Sequence, residues 1–129
     1  MNCPHCGVET VSFAVPERLR AHAPEESAAA ALCPDCLRVY PAEEAASDPD
    51  FARVGDFFPR GEAGAAMALL LGLLDSLALN RAAIEALSAR TESAGDDPLL
   101  TLDRLAEAGD VDPHFDLDRR RTQLEQLLD

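Results

Sequence analysis

Cys3-Pro4-His5-Cys6-Gly7, written CPHCG, is followed at once by Val8-Glu9-Thr10-Val11-Ser12-Phe13-Ala14-Val15. Two cysteines two residues apart serve either a dithiol oxidant or half of a tetrahedral metal site. A dithiol oxidant needs its first thiol at the N-terminus of a helix that follows a strand, because the helix dipole lowers that thiol's pKa. Nothing strand-like precedes Cys3. Beyond Gly7, Val11, Phe13 and Val15 alternate with Ser12 and Ala14, which is the period of a half-buried strand and not of a helix.

The remaining two cysteines lie in Cys33-Pro34-Asp35-Cys36, 26 residues beyond Cys6, and lead into a second short strand, Leu37-Arg38-Val39-Tyr40, stopped by Pro41. Two C-x-x-C turns, each feeding a strand, predict a zinc ribbon. The four cysteines make one tetrahedral set with none left over, so Cys3, Cys6, Cys33 and Cys36 are the expected ligands of one structural Zn2+. A full ligand shell leaves no position for substrate water, which argues against metal catalysis and for a protein that is not an enzyme. His5 is expected to be exposed, and iron in the same cage is the minor alternative. Thiol–disulfide exchange through the CPHC motif is the competing chemistry.

The 129 residues carry 24 acidic and 11 basic side chains, for a net charge of −13, and every basic residue is Arg. The acidity is spread along the chain, −4 over residues 1–47 and −9 over 48–129. No basic face is left for a phosphate backbone, so direct nucleic-acid binding is not expected. A Lys-free, acid-rich, Ala-rich composition fits a protein that works in high salt, where screening relieves self-repulsion. Met1-Asn2-Cys3 leads straight into the first motif with no charged or apolar leader, which gives a cytoplasmic expectation. The longest apolar run, Ala63 to Leu74, is too short for a bilayer and reads as a buried helix, with no membrane association expected.

Three regions follow: a zinc ribbon over residues 1–41, a linker over 42–61 and a helical domain over 62–129. The expected fold class is α+β, with short antiparallel strands in the ribbon and three to four helices after it. The linker is rich in Pro, Asp and Gly but holds Phe51, Phe57 and Phe58, three of the chain's five Phe, so it is expected to fold back onto a neighbouring unit. Glu62 to about Ser93 reads as one long helix or two broken near Asn80, with Gly95 as its stop. Asn80 is the expected cap of a second helix, with Asp75 and Arg81 reaching solvent. Asp97 caps the next helix, with Pro98 in its first turn and Gly109 beyond its end. The last helix starts between Asp112 and Asp116, and its Arg119-Arg120-Arg121 triplet reads as an intrahelical salt-bridge lattice. His22 and His114 have no neighbouring ligand or nucleophile in sequence and are expected at the surface or its boundary. The helix from Met67 to Leu74 is apolar all round, and it needs either the ribbon and the Phe linker or a second copy of the chain to cover it. A homodimer through the Met67 to Leu87 helix is therefore expected as one solution.

CPHCG at 3–7 and CPDC at 33–36, together with GLLDSLALNRAAIEAL at 72–87 and DPHFDLDRRRTQLEQLL at 112–128, resemble a haloarchaeal family of small CPxCG-type zinc-finger proteins of uncharacterised function. The resemblance covers nearly the whole chain. It implies zinc on the same four cysteines, with no catalytic residues to carry over. The second knuckle departs from the pattern, because Leu37 stands where the first has Gly7. The leading expectation is a non-enzymatic adaptor with an unknown protein partner. An accessory factor docking on protein components of the transcription or translation machinery comes second. Metal removal is expected to unfold the ribbon and to spare the helices unless the two parts share a core.

Overall fold

The computed structural model describes residues 1–129 and has an α+β fold. Its three strands, β1 (Val11–Ala14), β2 (Ala29–Leu32) and β3 (Val39–Ala42), form one antiparallel sheet in the order β1-β2-β3. Val11 faces Leu32 across the first pair and Leu32 faces Val39 across the second, so the sheet starts level with the two cysteine turns. β1 shows the expected alternation, with Val11 and Phe13 buried and Ala14 exposed. β2 is an alanine run ending in Leu32 and is buried throughout. Its small side chains let neighbours approach closely on both sides of the central strand.

Four helices follow: α1 (Gly61–Leu73), α2 (Arg81–Ser93), α3 (Pro98–Ala108) and α4 (Leu117–Leu128). The long apolar segment is thus two helices, joined through a 3-10 turn at Leu74–Ser76. Asn80 precedes α2 as expected but makes no forward cap. Its side-chain amide instead donates backwards to the carbonyls of Leu73 and Ser76, closing the turn between the helices. Asp97 does cap α3, accepting from the N–H groups of Leu99 and Leu100, and Asp116 caps α4 through the N–H of Arg119.

One apolar core runs through both ends of the chain. It joins Val11, Phe13, Leu32 and Leu37 of the sheet region to Phe51 and Phe58, to α1 and to Ile84, Leu87, Leu102, Leu105 and Leu124. Phe51 stacks at a tilt against Phe13 and Phe58, with ring centroids 5.6 and 5.5 Å apart, so the linker does fold back. Arg53 pins the same segment to the strand side by donating to the carbonyls of Glu9 and Thr10. Ala63 to Leu71 of α1 are all buried, and only the helix's outer ends, Gly61, Glu62, Gly72 and Leu73, are not. The chain covers its most apolar helix by itself, which answers the packing need that had pointed to a second copy. α1 reaches the sheet at Gly72, where a Cβ would stand 2.9 Å from Val39. No helix is long and apolar enough to cross a membrane.

Candidate metal centre

The two cysteine turns are built alike. In the first, Gly7 N–H donates to the Cys3 carbonyl at 2.8 Å, Cys3 N–H to Val8 at 2.8 Å, and Cys6 N–H to the Cys3 sulfur at 3.4 Å. The second repeats this thirty residues on. Leu37 N–H donates to Cys33 at 3.0 Å, Cys33 N–H to Arg38 at 2.9 Å, and Cys36 N–H to the Cys33 sulfur at 3.4 Å. Each turn closes in the left-handed region, at φ 74° for Gly7 and φ 64° for Leu37. A glycine reaches that region freely, whereas a leucine is strained there by roughly 1–2 kcal/mol. Leu37 is fully buried in the core, and that burial offsets the strain. The missing glycine therefore leaves the turn unchanged.

The geometry brings the four expected residues to one point. Cys3, Cys6, Cys33 and Cys36 are free thiols whose sulfurs all lie within 4.8 Å of one another, with Cys3 and Cys36 3.8 Å apart. Sulfurs about 2.3 Å from a tetrahedral Zn2+ stand about 3.8 Å from each other, which is the Cys3–Cys36 separation, and the whole set lies close enough to take one ion. Cys3, Cys33 and Cys36 are buried, and Cys6 is half-buried at the rim. His5 is exposed, as expected.

The electrostatics of the cluster suit a cation. Burial pushes the Cys3 thiol up, but the Tyr40 hydroxyl at 3.3 Å and the N–H groups of Cys6 and His5 outweigh it and bring Cys3 down to about 6 from 9.0. Burial and the neighbouring sulfurs push Cys6 up, and burial also raises Cys33. Four thiols at this spacing do not all ionise together without a positive charge among them, and a divalent ion supplies it. The neighbouring Cys36 side chain raises the Arg38 pKa, which sets a guanidinium close to the cluster. A low thiol pKa also suits a nucleophile, yet Cys3 is 2 % exposed and sits in a turn with no helix after it.

His114 lies at the boundary, as expected, but its contacts with the second cysteine turn are what sequence reading missed. Its side chain is 5 % exposed. Its Nδ1–H and its backbone N–H both donate to the carbonyl of Cys36, each at 2.9 Å. Asp112 N–H donates to Asp35 at 2.8 Å, so the connection between α3 and α4 is clamped onto the second knuckle. The only local hint is Pro113-His114-Phe115, where an aromatic stacks edge-on against the imidazole. The arginine triplet is also only partly intrahelical. Arg121 pairs with Glu125 one turn on, but also with Asp103 of α3, and Arg120 donates to the Asp75 carbonyl.

A family model described as "Family of unknown function (DUF6276)" matches residues 2–128. The chain belongs to that family. No curated protein and no solved structure matches it. The match takes in both cysteine turns and all four helices, so the family's unit comprises the sheet, the cage and the helices.

Proposed function

We propose that this member of the family holds one structural Zn2+ on Cys3, Cys6, Cys33 and Cys36 and acts as a non-enzymatic protein–protein interaction module. The observation that carries the metal reading is the closed set of four free thiols whose sulfurs lie within 4.8 Å of one another. Zinc suits the set because sulfur ligands select soft or borderline ions. The knuckle N–H groups, the Tyr40 hydroxyl and Arg38 temper the charge that four thiolates carry. The ion's role is to fix both turns and, through His114 and Asp112, the α3–α4 connection. An interaction role fits an acidic surface on a small, rigid frame whose ligand shell is filled by protein, with the high-salt cytoplasm as its proposed setting.

Metal analysis of the purified chain tests the first half: one zinc per chain with all four thiols unmodified is expected. A reducible disulfide with no metal would replace it by thiol–disulfide exchange. Affinity capture from the native cytosol tests the second half, with a partner that is lost when the metal is chelated as the expected result. Retention of no partner in either state would refute the interaction role.

A further inference from the structure

The two ends of the helical unit meet at a cavity of about 290 Å³ between the α1–α2 turn and α4. Leu77 and Leu127 line it on the apolar side, and Arg81, Arg120, Gln123 and Gln126 on the polar side. No acidic residue lines it, in a chain with 24 of them.

The donors here exceed the acceptors. Neither Arg81 nor Arg120 has a carboxylate partner, and Glu85, one turn beyond Arg81, makes no ion pair with it. Arg120 already donates to Gln123 Oε1 at 2.7 Å and to the Asp75 carbonyl at 2.9 Å, while its Nε is enclosed, without an acceptor and out of a ligand's reach. Gln123 gives its oxygen to Arg120, which leaves its amide N–H groups as the free end. Arg81 stands at the first position of α2, whose first turn holds no acid. A cation there opposes the helix dipole, and a second cation across the cavity adds to the cost. An anion relieves both. The similar cluster of Arg18 and Arg90 needs none, because Glu62 already pairs with each of them.

We infer that this cavity is a carboxylate-binding site for an acidic–apolar peptide segment of a partner protein. Arg81 and Arg120 would take the carboxylate oxygens, and Leu77 and Leu127 the hydrocarbon next to it. The inference rests on the interaction reading above, but the two fail separately, since the titration below can fail while capture from cytosol succeeds, and the reverse.

The test is a titration of the intact metal-loaded chain with the peptide acetyl-Leu-Glu-Leu-Leu-Glu-amide, followed through the arginine side-chain Nε–H signals by NMR. Saturable shifts confined to Arg81 and Arg120 are expected. Replacement of both Glu by Gln in the peptide should weaken binding at least about tenfold, as loss of a charge-assisted pair does. R81Q, at an exposed position that leaves the fold intact, should weaken it by a similar factor. Four results would overturn the inference: no saturable shift, equal binding of the Gln peptide, shifts centred on Arg104 or Arg119, or binding of inorganic phosphate alone.

Discussion

Gly7 and Leu37 hold equivalent places in the two knuckles, both in the left-handed region, yet a substitution should act on them in different ways. A Cβ at Gly7 meets nothing within 4 Å, so Gly7→Ala adds strain without contact and should cost about 1–2 kcal/mol. Leu37→Gly relieves the same strain but empties a fully buried site, and the loss of about 2–5 kcal/mol for a buried leucine outweighs the gain. Urea unfolding of both variants, with net destabilisation of each and the larger effect at Leu37, checks this balance. Glu62 offers a second test by pH. The hydrogen bond from Arg90, helped by the charge of Arg18, holds its carboxyl below the ordinary 4.5 against the opposing effect of burial. A depressed folded pKa gives stability that is fully present above 4.5 and is lost as the pH falls below it through the lowered folded pKa. The stability gap between the native chain and Glu62→Gln should therefore be open at neutral pH and close in acid, in pH-resolved urea titrations. At this scale the two cysteine pairs that cluster were readable because the spacing within each pair is local. His114 was not, because its partner Cys36 is 78 residues away and no short-range pattern signals that contact.

Elements whose own residues dictate them were equally plain. β1 alternates, and α3 carries Asp97, Pro98 and Gly109 at its two ends. β2 was not legible as a strand. An alanine run has no alternation and little strand propensity, and it is extended here because β1 and β3 pair with it on both sides. Asn80 was placed correctly but given the wrong partner, since a backward bond to Leu73 and a forward cap require the same residue type. α1 tests how tightly the helices are set on the sheet. Gly72→Ala gains helix propensity, but its Cβ would press on Val39 at 2.9 Å, so it should destabilise by about 1–3 kcal/mol instead of stabilising. A thermal melt below that of the native chain is the expected observation.

For the whole molecule, the sequence allowed either two cores or one, and the buried set decides for one that reaches from Val11 to Leu124. The continuity was hidden because it is made by three phenylalanines of an irregular segment and by the backbone clamp of residues 112–114 on the second knuckle. Metal loss should therefore reach the helices. Circular dichroism during chelation is expected to show helical signal falling together with the metal, where a separate ribbon would leave it unchanged. The proposed metal site on the four clustered cysteines is read most directly by cobalt binding. Loading the chain with Co2+ should give the intense visible bands of a tetrahedral ion with four sulfur ligands, saturating at one ion per chain and weakened by Ser at any of Cys3, Cys6, Cys33 or Cys36. A pale octahedral spectrum, or a spectrum unchanged by one of those four substitutions, would contradict it.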